Sequence, residues 1–298
     1  MLTVDVEDYF QVSAFEHKIK RSQWDSMPCR VEANTERLLS IFSSAQVHGT
    51  FFVLGWVAKK FPQLVRRIAE EGHEVASHGY WHRLVYSLSH EEFRQDIRDS
   101  KNAIGDATGV NVIAYRAPSF SITDKSLWAL DILAEEGFEI DSSIFPIRHD
   151  RYGVPDARPE IHQRKTHAGE ITEIPPSFWQ SHLGKVPIGG GYFRLLPGYA
   201  TSLAINRLQT SGRPAMFYIH PWEIDPTQPR IRGVGFKSKF RHYVGLGKTE
   251  RKLRRMLKQH PFAPIRDVVV REHGQNLAAT PSSGEIQRSR YPPPPHRP

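Results

Sequence analysis

The 298-residue sequence contains a single cysteine, Cys29, which excludes an intramolecular disulfide and a fold that depends on oxidising conditions. It also lacks long apolar runs, and none approaches the roughly 18 residues of a membrane-crossing helix. The opening Met1-Leu2-Thr3-Val4-Asp5 has neither the basic region nor the apolar run of about 7 to 15 residues that marks a signal peptide, so the expected location is cytoplasmic. Acid is scarce in one place: Arg230 to Lys258 carries eleven Lys or Arg against one acid, Glu250, within a formal net charge of +8. Such a block attracts phosphates, anionic lipid headgroups or an acidic glycan, although a solvated helix face is the commoner reading. A weak contact with an anionic surface through Arg230–Lys258 is expected. Nucleic acid is not, because no nucleic-acid motif accompanies the charge. No internal repeat is visible, and nothing bears on the oligomeric state.

What is present is ordinary in bulk and patterned in detail. Hydrophobic residues at 39% and charged residues at 24% suit a soluble globular protein, and the length admits two small domains or one large α/β barrel. Short apolar runs alternate with amphipathic stretches, the pattern of β-α units around a parallel sheet. Leu2 to Val6, Gly49 to Leu54, Glu74 to Ser77, Val110 to Tyr115 and Phe138 to Asp141 read as strands. Between them, helices are expected over Val31 to Ala45, Trp56 to Glu71, a stretch capped by Ser89 and Glu92 and running to about Thr108, and Thr123 to Glu136. His149 to His167 reads as a long loop, and long loops in compact domains are commonly functional. Glu170 to Ile174, Tyr192 to Leu196 and Ala215 to His220 are further expected strands, with a helix over Tyr199 to Thr210. From about Arg271 the composition predicts a disordered tail.

Four groups at predicted strand ends carry chemistry. Thr3-Val4-Asp5-Val6-Glu7-Asp8 sets three carboxylates within four residues, although a strand entering an acidic turn is common. Ser77-His78-Gly79-Tyr80-Trp81-His82 places two imidazoles at a spacing that can converge on one divalent ion; two polar loop histidines are the plain alternative. In Tyr115-Arg116-Ala117-Pro118 a planar guanidinium can hold a carboxylate in fixed orientation, and in Tyr218-Ile219-His220-Pro221-Trp222 an apolar strand ends at a histidine. A β/α barrel gathers such strand ends on one face.

In this order the four groups resemble the motifs of the polysaccharide deacetylases of carbohydrate esterase family four, the NodB-homology proteins, over residues 1–225. More narrowly, Asp5-Val6-Glu7-Asp8-Tyr9-Phe10, Gly189-Gly190-Gly191-Tyr192-Phe193-Arg194 and His220-Pro221-Trp222-Glu223 look like the deacetylases encoded with PEP-CTERM/exosortase exopolysaccharide loci. The resemblance implies an α/β fold, a distorted (β/α) barrel of about seven strands over 1–225, then a basic extension over 226–270 and the tail over 271–298. It implies hydrolysis of N-acetyl groups on an N-acetylhexosamine-containing polysaccharide or oligosaccharide, in exopolysaccharide biosynthesis or modification. Asp5 would be the general base, His220 the general acid, Arg116 the group orienting Asp5, and Asp141 a support of the site.

A divalent metal, zinc before cobalt, nickel or manganese, would sit on His78, His82 and a carboxylate. Family members commonly have two adjacent aspartates, whereas here Asp5 is followed by Val6-Glu7-Asp8. The third ligand is therefore Asp8 or Glu7, with Asp8 preferred because aspartate is usual there. Ser119 stands where the family often has tyrosine, the residue whose backbone N–H helps form the oxyanion hole. Trp179, Tyr192, Phe193 and Trp222 are candidates for stacking on sugar rings, although such aromatics more often belong to the core. The competing readings are an O-acetyl esterase, a non-metal amidohydrolase of the same fold, and a catalytically degenerate glycan-binding module. The intact His78, His82 and acid cluster speak against the second.

Overall fold

A computed structural model describes residues 1–181 and 184–278. Ten strands run in chain order: β1 Leu2–Val6, β2 Thr50–Val53, β3 Glu74–Ser77, β4 Ala114–Tyr115, β5 Ile140–Asp141, β6 His162–Thr166, β7 Gly169–Glu173, β8 Phe178–Ser181, β9 Gly184–Pro187 and β10 Phe217–Ile219. The helices are α1 Val31–Ala45, α2 Gly55–Lys60, α3 Pro62–Glu70, α4 His90–Thr108, α5 Ala129–Glu135, α6 Gly190–Leu195, α7 Gly198–Thr210, α8 Phe236–Tyr243, α9 Leu246–Gln259 and α10 Ile265–Ala278.

Eight strands form one sheet in the order β10-β1-β2-β3-β4-β5-β7-β6. All neighbours are parallel except β6, which returns antiparallel beside β7. β1 and β2 read Leu-Thr-Val-Asp-Val and Thr-Phe-Phe-Val and are buried throughout, as expected of parallel strands covered on both faces. The sheet curls without closing on itself. Across the opening, Gly189 bridges to Tyr218 and the Met216 N–H donates to Ser177 Oγ at 2.8 Å.

Alternate residues point inward, so Phe52, Ala76, Ala114, Ile140, Ile174 and Met216 fill the barrel. The N-terminal ends of the strands are closed by α10, whose Ile265 and Val269 join this cluster. Its first turn is capped from the sheet, with the Ile265 N–H donating to Thr50 Oγ1 at 2.8 Å and the Arg266 N–H to Glu74 Oε2 at 3.1 Å. The opposite rim, past the C-terminal ends of the strands, is left for the site.

Several elements differ from the sequence expectation. The helix expected over Trp56 to Glu71 is two, divided at Phe61-Pro62 because the residue before proline leaves the helical region. The fourth and fifth strands shrink to two residues each, and the hairpin β8-β9 was not foreseen. Part of the loop expected over His149 to His167 is β6. The Tyr192 to Leu196 segment is helical, not a strand: a Cβ on Gly189 would lie 2.5 Å from the Tyr218 carbonyl oxygen, so the backbone abuts β10 and winds into α6. α10 runs through Ala278, past the Arg271 start of the expected tail; the tail's residues 279–298 lie outside the described residues. Among the described residues no helix is long and apolar enough to cross a membrane.

Candidate active site

Side chains from the ends of β1, β3, β4 and β10 and the turns after them meet over the barrel. His78 follows β3, and its Nδ1 lies 2.8 Å from the Arg116 carbonyl oxygen. A carbonyl only accepts, so Nδ1 carries the proton and Nε2 keeps a lone pair facing the site. His82 is brought round by a tight turn wrapped on Asp96, which accepts the Tyr80 and Trp81 N–H groups at 2.8 and 3.2 Å. Gly79 sits at φ +73°, where an added Cβ would come 2.7 Å from Asp96 Oδ2. His82 itself is left-handed at φ +50°, a strain of the kind found at functional sites.

Glu7 completes a donor set with the two histidines, one ligand atom from each lying within 4.8 Å of the others. Glu7 Oε2 is 2.7 Å from His82 Nε2 yet is buried without a hydrogen-bond partner. Burial would raise the Glu7 carboxyl, but the charges of His82, His220 and His78 outweigh it and hold it down to about 2. Burial also pushes His78 down to about 4. An ionised carboxylate, a neutral imidazole and an orphaned buried oxygen fit a divalent metal of the zinc type, for which two histidines and a glutamate are a familiar catalytic donor set.

Beside this set stand a carboxylate and an imidazole with opposed surroundings. Arg116, fully buried, donates from Nη1 to Asp5 Oδ1 at 2.7 Å and to Thr3 Oγ1 at 2.9 Å, and from Nη2 to Ser142 Oγ at 3.1 Å. His220 Nε2 lies 3.8 Å from Asp5 Oδ2 and 3.4 Å from Glu7 Oε1, and its Nδ1 is 3.1 Å from Glu223 Oε2. Burial would lower His220, but Glu223, Glu7 and Asp5 outweigh it and raise it to about 9. Glu223 is in turn gripped by Arg194 Nε at 2.6 Å and held down to about 2, its burial outweighed by Arg194 and His220. The remaining nitrogens of Arg194 donate to the Arg241, His242 and Val244 carbonyl oxygens, tying the end of α8 to the histidine. Trp222 stacks between His220 and His242, at 5.3 and 4.2 Å.

Asp5, Glu7, His78, His82 and His220 thus line one cavity of about 410 Å³, with Arg116 directly beneath. Asp8, the carboxylate preferred from the sequence, is not there. It turns to the start of α1, where Oδ2 accepts the Arg30 and Val31 N–H groups at 2.6 and 2.9 Å and Oδ1 accepts its neighbour Tyr9. It is Glu7, the second choice, that the fold brings to the histidines. Asp141 also stays out of the cavity. It accepts the Ser143 hydroxyl at 2.5 Å, and Ser143 Oγ accepts the Ala117 N–H at 2.8 Å, so it braces the turn after Arg116.

Ser119 lines the cavity in left-handed backbone at φ 53°, followed by Phe120 at 52°. Tyr192 and Trp222 line it too, whereas Phe193 is core and Trp179 lies elsewhere with Arg207 over its ring. Glu223 and Arg194 were within quoted motifs but had no assigned role. Arg151, Tyr152, Arg241 and His242, also in the lining, had no motif to flag them.

The sequence profile of the polysaccharide deacetylase family matches residues 18–138, taking in His78, His82 and Arg116. That of a domain of unknown function (DUF3473) matches residues 142–270. Peptidoglycan-N-acetylglucosamine deacetylase of Bacillus cereus is 33% identical over 98 residues, covering 33% of this chain and 36% of the relative. Chitooligosaccharide deacetylase of Rhizobium leguminosarum bv. trifolii is 38% identical over 73 residues, covering 24% of this chain and 34% of the relative. The chain therefore spans about a third of the length of these curated relatives. The crystal structure of a Mycobacterium smegmatis protein assigned to the polysaccharide deacetylases shares the fold, with a TM-score of 0.62 at 20% identity over 97% of this chain and 93% of that one. By sequence, residues 18–138 are thus similar to the polysaccharide deacetylases, and the chain shares the fold of a crystal structure assigned to them.

Proposed function

We propose that the chain is a metal-dependent hydrolase that removes N-acetyl groups from an N-acetylhexosamine-containing polysaccharide. The observation that carries this reading is the pairing of Asp5, held by Arg116, with His220, held by Glu223, beside the Glu7-His78-His82 donor set. A divalent ion on that set, zinc being the first candidate, would polarise the acetamide carbonyl and make a water acidic enough to ionise near neutral pH. Asp5, fixed through Arg116, would take the proton of the attacking water. His220, held in its cationic form by its carboxylate neighbours, would give one to the departing amine. The products are acetate and a glucosamine-type amine.

Modification of an exopolysaccharide is the finer part of the proposal. It rests on the three motifs of that subgroup, two of which supply Arg194 and Glu223, the bonded pair behind His220. The test is elemental analysis of the purified protein combined with acetate release from panels of N-acetylated and of O-acetylated oligosaccharides. Stoichiometric metal with acetate release is expected. Tight glycan binding without acetate would make the chain a glycan-binding module instead, and release from O-acetylated sugars alone would make it an O-acetyl esterase.

A further inference from the structure

The basic stretch that begins at Arg230 divides by role. Lys252 turns inward and donates to the Phe193, Arg194 and Leu196 carbonyl oxygens at 3.1, 3.0 and 2.7 Å, while Arg254 pairs with Glu250 at 2.8 Å. Arg230, Arg232 and Lys239 do neither. With Phe236, Phe240 and Tyr243 they line a separate hollow of about 580 Å³ that no carboxylate lines. Among the described residues these three cations take part in no ion pair. The Arg230 guanidinium lies over the Tyr243 ring, 4.1 Å from its centroid, and the Tyr243 hydroxyl accepts the Ile231 N–H at 2.8 Å, so the platform is fixed. Phe236 and Phe240, one turn apart on α8, are 82% and 49% exposed.

The hollow is not isolated. Phe240 and Val244 line both it and the catalytic cavity, and Arg241, the next residue on α8, belongs to the cavity wall together with Arg151. A path edged by cations and open aromatic faces therefore leads out of the site. Exposed rings suit the apolar faces of sugars. Guanidinium groups suit carboxylate and similar anions, which they can bind in a fork. A bilayer would ask for a convex surface, whereas these groups edge a concavity that continues a cavity.

We propose that this groove binds further units of the same polysaccharide chain, and that the chain is acidic, carrying negatively charged sugar units beside the N-acetylated one. This rests on the deacetylase reading. The probes are hyaluronan oligosaccharides, which alternate N-acetylglucosamine with a uronate, and neutral chitooligosaccharides of equal length. Each is followed by acetate release and, separately, by calorimetric titration at low and high salt. The wild-type protein should bind the acidic oligosaccharide more tightly, with a preference that fades as salt screens the charges.

In R230E/R232E/K239E the acidic-to-neutral ratio of kcat/KM and of affinity should fall by about tenfold or more, the order expected from losing three exposed ion pairs. Because Arg230 packs on Tyr243, R232Q/K239Q, which leaves that stack intact, should shift the same ratio in the same direction. A ratio unchanged in both variants overturns the inference, as does binding to vesicles of anionic lipid with no preference for the acidic oligosaccharide. Absence of acetate from every probe would refute the deacetylase reading alone, since the titrations still decide whether the groove takes an acidic glycan.

Discussion

Glu7 and Asp8 are adjacent carboxylates with opposite employment. Glu7 faces two histidines with an orphaned oxygen, while Asp8 caps a helix. Replacing Glu7 with Ala should abolish metal uptake measured by elemental analysis while secondary structure persists. Asp8→Ala should keep its metal and lose about 1 kcal/mol of stability in urea titration, the usual value of such a cap; metal loss in Asp8→Ala together with retention in Glu7→Ala would reverse the assignment. The choice was hidden in the sequence because β1 ends at Val6. Past a strand end the two-residue alternation no longer says which of two neighbours points where. His78, Arg116 and His220 were legible because each directly follows a strand, and His82 because it stands four residues beyond His78. Glu223 and Arg194 were not legible as a pair, since 29 positions separate them and only the fold joins them. Their role has its own test. The Glu223 carboxylate helps raise His220 to about 9, so the donor form persists to alkaline pH and activity should fall only as the pH passes that region. Glu223→Gln removes the supporting charge and should move the alkaline limb of kcat to lower pH, with KM little changed; an unmoved limb would leave Glu223 a purely structural group.

Elements with strong internal signals matched their expectation, and elements defined by what they touch did not. α4 has its Ser89–Glu92 capping box and a left-handed Gly109 at its end, all local and readable. α6 is six residues whose conformation is set by Gly189 and Gly190 lying against Tyr218, a contact across about thirty positions that no local period reveals. β6, β8 and β9 are partly exposed hairpin strands whose polar sequences resemble loop. α9 shows how charge count misleads at this scale, because one of its cations is an anchor. Lys252 ties α9 to the last turn of α6, which carries Arg194 and through it Glu223. Lys252→Ala should therefore lower the urea midpoint by an amount corresponding to about 1 kcal/mol or more, since it strips a charged donor from three carbonyls. Reversing the exposed Arg251 and Arg255 should change it within about 0.5 kcal/mol, as surface substitutions usually do. Equal effects from the two would mean that the anchor carries no stability.

At the scale of the whole molecule, the part resembling deacetylases by sequence, residues 18–138, and the part matched by the domain of unknown function, residues 142–270, meet at β5 within the continuous sheet. β5, at that junction, pairs with β7, with Asp141 opposite Glu173 in the register. Both carboxyls are fully buried. Burial, then the neighbouring Asp141 charge, raises Glu173 well above its ordinary value near 4.5, and burial also raises Asp141. Both shifts favour retention of a proton on the pair, and a protonated Glu173 could donate to Asp141. The sign follows from linkage: an acid whose folded pKa is raised binds its proton more tightly in the native state, so its contribution is complete below about 4.5 and is lost as the pH rises through the folded value. The wild-type guanidinium midpoint should accordingly decline as the pH rises through the folded value and the pair takes on a second buried negative charge. Glu173→Gln keeps a donor facing Asp141 but cannot ionise, and its midpoint should hold steadier from neutral to alkaline pH. Parallel decline in both proteins would place the alkaline sensitivity elsewhere. Because Asp141 also holds Ser143, and Ser143 the backbone after Arg116, the same titration should loosen the strand end that carries Arg116. Amide exchange at Ala117 should therefore rise with the loss of stability in the wild-type protein and not in Glu173→Gln.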